Sequence, residues 1–180
     1  RLEGTDVTSE QPATLARRGL VRSFQISAVF ARLTARENII LALQRRFVSP
    51  LLFWRGSAGL SGASERVADL LAQVDLTGFA DVRAGDLAYG RKRALELATT
   101  LAAEPRVMLL DEPTQGLGHE DVDRVTALIR HAAVGRTVVM VEHNMRMVAQ
   151  VADRISVLRR GKIIAEGDYE QISRNPEVIE

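Results

Sequence analysis

The most informative segment of this sequence is Val107-Met-Leu-Leu-Asp111-Glu112-Pro113, an uninterrupted apolar run that ends in two adjacent carboxylates. Such a run is typical of a strand in a parallel sheet with helices on both faces. Its last residues would lie at the carboxyl edge of the sheet, where α/β proteins bind ligands. One carboxylate can hold hydrated Mg²⁺ and the next can orient and deprotonate a water. A strand followed by a solvated acidic turn would give the same residues.

The sequence on both sides of this segment alternates between helices and strands. Apolar residues at helical spacing precede it, from Leu95 to Leu101, and a second apolar strand is predicted over Thr137–Glu142. The runs Ile155–Leu158 and Ile163–Ala165 flank Gly161 and predict a hairpin. The second half of the chain is therefore predicted to be an α/β core.

The first half has a different pattern. Gly19–Phe24 reads as a short strand that ends at Gln25, and Thr34 and Glu37 have the spacing of a capping box at a helix start. Residues 47–62 are rich in glycine and serine and read as a linker. Apolar residues at i, i+3, i+4 and i+7 then predict an amphipathic helix from Val67 to Val74. This part is predicted to be mainly helical.

Composition excludes several classes of protein. The 24 basic and 23 acidic side chains leave a formal net charge of +1, without the basic excess of a nucleic-acid binder. The absence of cysteine excludes disulfides and thiolate metal sites. No apolar run approaches the roughly 18 residues that span a bilayer. We therefore expect no nucleic-acid partner, and at a membrane we expect action through an embedded partner.

Three further segments carry groups that suit phosphate chemistry. His143 follows the strand over 137–142, one βα unit after the two carboxylates, so both would emerge at the same sheet edge. Gly90 stands at the start of a predicted helix, whose N-terminus attracts phosphate, and Arg91, Lys92 and Arg93 follow it. Taken singly, each has a simpler interpretation. His143 would fit an ordinary surface histidine, the three cations would fit a solvated basic turn, and Gln25 would fit a cap at a chain end.

Taken together, in this order and at these spacings, the segments resemble the ABC ATPase family along essentially the whole chain. The matching motifs are the Q-loop at Gln25, the signature at Leu87–Arg91, the Walker B strand at Val107–Glu112, the D-loop at Gly116–Gly118 and the switch histidine at His143.

The resemblance implies a fold and its division into parts. The fold is expected to be α/β, a P-loop NTPase-like ABC ATPase core that is incomplete, with a mainly helical subdomain. Residues 1–25 would be the remnant of the N-terminal part of the core, up to the Q-loop. Residues 26–86 would form the helical subdomain, and 87–180 the signature and RecA-like core with its C-terminal strands and helix.

The resemblance also implies roles around ATP and Mg²⁺. Two such domains would close head to tail around two ATP molecules. Asp111 would hold the metal, Glu112 would act as general base, His143 would contact the terminal phosphate, and Gln25 would sense metal and water. The nucleotide of the opposing subunit would be contacted by a further set: Ala88, Tyr89, Gly90, Arg91 and Gly118.

Longer stretches are similar to ATPase subunits of branched-chain amino-acid importers, among them Arg22–Gln25, Leu33–Asn38 and Val141–Met145. This similarity implies transmembrane permease subunits and a second ATPase subunit as partners, with a solute-binding protein acting indirectly. Residues 26–86 would dock on the permease. The chain would work at the cytoplasmic face of the plasma (inner) membrane and couple ATP hydrolysis to amino-acid uptake.

The sequence departs from the family at several points. Nothing in it matches G-x-x-x-x-G-K-[ST], the Walker A loop that cradles phosphates. Family members carry this loop ahead of the position of Arg1, so we expect an N-terminally truncated chain that is inactive alone. Ala88 stands where serine is common, Arg91 where glutamine is usual, and Gly118 where asparagine or aspartate is usual. These three changes weaken the expected contribution of the signature and D-loop.

Two alternatives remain open at this point. The first is a non-catalytic interaction module that docks on a transmembrane partner, which the missing phosphate loop favours. The second is an ABC-type ATPase that acts on nucleic acid or the ribosome, which would be expected to carry long coiled coils or basic surfaces.

Overall fold

A computed structural model of the chain describes residues 1–22, 29–47 and 60–179. They form two compact units, Arg1–Val141 and Glu142–Glu180, each treated by itself. The first contains α1 (Pro12–Arg17), β1 (Leu20–Arg22), α2 (Ala35–Phe47), α3 (Leu60–Gln73), 3₁₀ turns at Thr77–Phe79 and Ala84–Asp86, α4 (Tyr89–Ala102), β2 (Val107–Asp111), α5 (His119–Ala133) and β3 (Thr137–Val141). The second contains α6 (Met145–Val151), β4 (Ile155–Arg159), β5 (Lys162–Gly167), α7 (Tyr169–Ser173) and α8 (Pro176–Ile179).

The sheet of the first unit is parallel, as predicted. Its strand order is β1-β2-β3, with Leu20 aligned with Val107 and Val107 aligned with Thr137. At the other end of the same ladder, Asp111 is aligned with Val141. The carboxyl ends of β2 and β3 therefore meet at one edge of the sheet, as the sequence predicts.

Only one face of this sheet is well covered by the described residues. Met108 and Leu110 of β2 are buried, and Leu110 faces the helices α4 and α5 across a cavity of about 30 Å³. On the opposite face, Val139 and Val141 of β3 are 53% and 62% exposed. Within the described part of the chain, helices thus cover one face of β3 and leave Val139 and Val141 of the other face exposed. Right-handed crossovers that advance in one direction across a sheet place their helices on the same side.

The helices of the first half begin and pack as the sequence predicts. The Thr34 amide donates to Glu37 Oε2 at 2.8 Å, and the Glu37 amide donates to Thr34 Oγ1 at 3.1 Å, which confirms the capping box. Val67, Leu70 and Leu71 of α3 are buried, and α3 packs against α2 and α4. The amphipathic face is thus the inner face of a helical cluster.

Two predicted boundaries differ from the observed ones. The strand predicted over 19–24 is observed as β1, Leu20–Arg22, while residues 23–28 lie outside the described part of the chain. The predicted linker is shorter than 47–62, because α2 ends at Phe47 and α3 begins at Leu60. Gly62 did not prevent helix formation there.

The second unit contains the predicted hairpin. β4 and β5 pair in antiparallel fashion, and the residues that join them, Arg160 and Gly161, have φ values of 53° and 77°. Two successive positive φ values are typical of the type I′ turn that fits the twist of a hairpin. Across the ranges that the structure covers, no helix is long and apolar enough to cross a membrane.

Candidate functional site

The two carboxylates lie at the carboxyl end of β2. Asp111 is the last residue of the strand, and Arg22, the last residue of β1, donates through Nη2 to Asp111 Oδ2 at 3.0 Å. The guanidinium is mostly exposed, so the pair contributes no more than about 1 kcal/mol to stability. The pair places a cation directly beside the predicted metal ligand.

Glu112 follows in a left-handed backbone conformation, with φ of 44°. This conformation costs a non-glycine residue about 1–3 kcal/mol and is concentrated at functional sites. The Glu112 amide donates to the carbonyl of Val141 at 2.9 Å, which extends the ladder with β3 beyond the end of β2. The sheet therefore fixes the turn that carries the second carboxylate.

The predicted signature segment forms the start of α4. Ala88 precedes the first turn and has no polar side chain to cap it. The first amides of a helix lack intrahelical partners and bind anions readily. Asp121 of α5 approaches Gly90 so closely that a Cβ at position 90 would overlap the Asp121 carboxylate. Glycine at this position thus lets the Asp121 side chain lie directly against the start of α4.

Two of the cations that follow Gly90 have partners within the chain. The Arg91 guanidinium lies 3.8 Å from the centre of the Phe79 ring, in a cation–π contact. Lys92 Nζ donates to the carbonyl oxygen of Gly85 at 2.8 Å. Both side chains therefore attach the start of α4 to the turns that precede it.

The predicted D-loop lies against the same part of α4. Tyr89 Oη donates to the carbonyl oxygen of Gln115 at 3.3 Å, and Arg93 Nη2 donates to Tyr89 Oη at 2.9 Å. Gly116 has a φ of 75°, and a Cβ there would lie 3.5 Å from the Tyr89 ring. Gly118 is the residue before the first turn of α5. Signature and D-loop are thus in contact within one chain.

His143 lies in the second unit, between β3 and α6, with its side chain 70% exposed. Its amide and that of Asn144 donate to Glu142 Oε2 at 2.7 and 3.0 Å. The Glu142 side chain is almost fully buried and fixes the backbone that carries the histidine. The juxtaposition of His143 with Asp111 and Glu112 stays a prediction.

The structure also shows contacts that the sequence analysis did not predict. Arg93 and Glu96 form an ion pair, and their opposite charges at i, i+3 on a helix are a signal that could have indicated it. Arg22 and Asp121 approach their partners from distant parts of the chain, which no local pattern reveals. Gln25 lies outside the described residues.

Comparison with known proteins gives a consistent result. The family model for ABC transporters matches residues 1–115. The high-affinity branched-chain amino acid transport ATP-binding protein BraF of Pseudomonas aeruginosa is 37% identical over 186 residues, which cover 99% of this chain and 73% of BraF. The corresponding protein LivG of Escherichia coli K12 is 34% identical over 175 residues, which cover 92% of this chain and 68% of LivG.

Solved structures extend the match to the fold. MJ1267, an ATP-binding cassette of an ABC transporter, aligns with a TM-score of 0.82 and 26% identity, over 98% of this chain and 73% of that chain. Its ADP conformation aligns with a TM-score of 0.77 and 25% identity, over 97% of this chain and 72% of that chain. The sequence relatives and the solved structures indicate the same family. The chain belongs to the ABC transporter family of ATP-binding proteins, with the α/β fold of an ABC ATPase cassette.

Proposed function

We propose that this chain is the ATP-binding subunit of an ABC importer, in which ATP hydrolysis drives the uptake of branched-chain or related amino acids. The observation that carries the proposal is the match to BraF over 99% of this chain. The carboxylates of Asp111 and Glu112, at the ligand-binding edge of the sheet, supply the groups that such an ATPase needs.

The residues at this edge fit Mg²⁺ by their donor chemistry. Mg²⁺ prefers oxygen ligands, keeps several waters and takes only one or two carboxylates beside substrate phosphates. A single carboxylate, that of Asp111, is therefore sufficient beside the phosphates of ATP. The described residues contain no cluster of three or more His, Cys, Asp or Glu side chains of the kind that binds a metal without such help. Arg22 would share or release Asp111 Oδ2 on binding. The ion would offset the negative charge of the phosphates.

Glu112 would orient the attacking water and accept its proton. It follows Asp111 directly, and the hydrogen bond of its amide to Val141 holds it in place. His143 would contact the terminal phosphate, and Gln25 would sense metal and water. These roles follow from the match of each residue to the family motif.

The start of α4 would contact the nucleotide of a second ATPase subunit. The first-turn amides around Gly90 are the donors, because Ala88 adds no hydroxyl and Arg91 is stacked on Phe79. Tyr89 and Gly118 would lie beside the same nucleotide, supported by the contact between the segments that carry them. Backbone donors would then replace the side chain that serine commonly supplies.

The remaining partners follow from the importer assignment. Permease subunits would span the membrane, and the helical subdomain of residues 26–86 would dock on them from the cytoplasmic face. A solute-binding protein would deliver the amino acid to the permease. Closure of the two ATPase subunits would then drive alternating access in the permease.

The test is Glu112→Gln in a version of the chain that carries the family's phosphate-binding loop ahead of residue 1. We expect the variant to lower kcat about 100-fold or more, because general-base catalysis contributes about 10²–10⁴-fold. Binding of MgATP should stay within about twofold of the parent, since the substitution preserves shape. Steady-state hydrolysis and calorimetric titration measure the two quantities.

Glu65→Gln is the matched control, because Glu65 is an exposed residue of α3. It should leave both quantities unchanged. Unchanged hydrolysis in Glu112→Gln would remove Glu112 from the mechanism. If the parent itself neither binds nor hydrolyses ATP, the alternative of a non-catalytic interaction module, tested by capture of the permease without ATP, takes the place of this proposal.

A further inference from the structure

A buried ion pair lies on α4 a short distance beyond the signature. Arg93 Nη1 donates to Glu96 Oε2 at 2.9 Å, and the two side chains are only 9% and 10% exposed. Burial works to lower the pKa of Arg93, but the hydrogen bond and charge of Glu96 outweigh it and the pKa is raised. A buried ion pair is weak evidence for stability, because desolvation offsets the attraction.

The pair is the start of a chain of hydrogen bonds that leaves α4. Arg93 Nη2 donates to Tyr89 Oη at 2.9 Å, and Tyr89 Oη donates its proton to the carbonyl oxygen of Gln115 at 3.3 Å. The amide of Gln115 in turn donates to the carbonyl of Glu112 at 3.0 Å. The chain thus runs from a buried carboxylate in α4 to the backbone of the turn that carries Glu112.

Tyr89 needs such support because it is 45% exposed and its ring is not enclosed by a core. The guanidinium of Arg93 holds its hydroxyl from one side, with the guanidinium carbon 5.2 Å from the centre of the ring. Gly116 leaves room for the ring on the other side. The orientation of an exposed tyrosine is therefore determined by a buried cation.

The same pair lies close to the strand end that carries Asp111. Arg93 and Glu96 line the cavity of about 30 Å³ together with Asp111 and Pro113. Arg93 Nε and Glu96 Oε1 are buried without a hydrogen-bond partner among the described residues. The pair thus lies beside the strand end and the first residues of the loop that follows β2.

We propose that Arg93 and Glu96 are positioning residues that fix Tyr89, and through it the loop of residues 112–118, to the start of α4. The pair links the signature to the turn that carries Glu112 within one chain. Its importance for catalysis rests on the proposed function, whereas the link itself is a property of the 180-residue chain.

Hydrogen exchange of the unmodified chain and its variants tests the link, with a peptide that covers 112–118 as readout. Tyr89→Phe removes the hydroxyl that bonds both neighbours, and we expect exchange of this peptide to rise about fivefold, the effect of one lost hydrogen bond. Glu96→Gln changes a side chain whose described hydrogen bond goes to Arg93 and not to the loop, and it should raise exchange in the same peptide. Tyr169→Phe is the matched control and should leave that peptide unchanged.

Two results would overturn the proposal. In the first, Tyr89→Phe and Glu96→Gln leave exchange of 112–118 within about twofold of the parent. In the second, Glu96→Gln raises exchange equally in α5 and in the β4–β5 hairpin, which would show a purely structural role. Neither result depends on nucleotide, so a failure here is distinguishable from a failure of the ATPase proposal.

Discussion

Helix α4 and strand β3 are both rich in apolar residues, yet the protein buries them to different degrees. α4 packs against α2, α3 and α5, and most of its 14 residues are buried. In β3, Val139 and Val141 are more than half exposed, on the face opposite the helices. Apolar content thus indicates which segments favour burial, whereas the direction of the crossovers decides which sheet face is covered.

The largest effect on stability should come from a substitution in α4, the buried one of these two elements. Leu95→Ala removes a fully buried side chain of α4, a helix that packs against three others. We expect it to lower the free energy of unfolding by about 2–5 kcal/mol, from lost transfer energy and a residual cavity. Urea unfolding followed by circular dichroism measures the loss.

A matched pair of substitutions sharpens the contrast. Val67→Ala and Val139→Ala remove the same two methyl groups, from a buried position in α3 and an exposed one in β3. The first should cost about 1–2 kcal/mol and the second less than about 1 kcal/mol. Equal losses would show that Val139 is covered in solution, and the contrast between the two regions would then be wrong.

The parts of the fold that the sequence predicts are those with local signals. The capping box of Thr34 and Glu37, the apolar strand Val107–Asp111 and the turn at Arg160 and Gly161 each depend on neighbours in sequence. The open face of β3 could not be predicted in this way. It depends on the order of strands and the side on which helices return, which are properties of the whole sheet.

The candidate site also combines residues that local sequence predicts with contacts that it does not. Asp111 and Glu112 were predicted because a strand and its end are visible in the sequence. The contact of Arg22 with Asp111 and that of Asp121 with Gly90 join segments far apart in the chain, so the spacing of residues contains no sign of them. The structure thus adds contacts between distant segments to what the motifs predict.

A substitution at Gly90 tests one of these long-range contacts. In Gly90→Ala the new methyl group would overlap the Asp121 carboxylate, which would have to move away, and we expect a loss of less than about 1 kcal/mol. Asp121→Ala in the same chain should restore most of the loss, because it removes the atoms that clash. Thermal unfolding of the four chains gives the coupling energy.

Gly78→Ala is the control for backbone effects, since a Cβ there meets nothing within 4 Å. It should change stability by less than about 0.5 kcal/mol. If Asp121→Ala fails to rescue Gly90→Ala, the glycine is required for a reason other than this contact, and the packing of the two helix starts is looser than described.

The smallest effect is expected in the β4–β5 hairpin, where, as in β3, apolar residues such as Leu158 and Ile163 are exposed. Ser156 Oγ and Arg154 Nη2 donate to Glu166 at 2.6 and 3.2 Å, and these hydrogen bonds lower the pKa of that carboxyl from its ordinary value. A carboxylate with a lowered folded-state pKa stabilises the fold above its unfolded-state pKa, and this contribution is lost as the pH falls through the folded-state value.

Glu166→Gln removes that contribution at every pH. The parent should therefore unfold at a higher temperature than the variant near pH 7, and the gap should close as the pH falls below the ordinary pKa of a glutamate and through the lowered pKa of Glu166. Other carboxylates titrate in both chains, so the difference between the two melting curves isolates Glu166. If the difference in melting temperature stays constant as the pH falls, the charge of Glu166 does not stabilise the hairpin, and the packing of its side chain does. The hairpin would then be stabilised by packing, as α4 is.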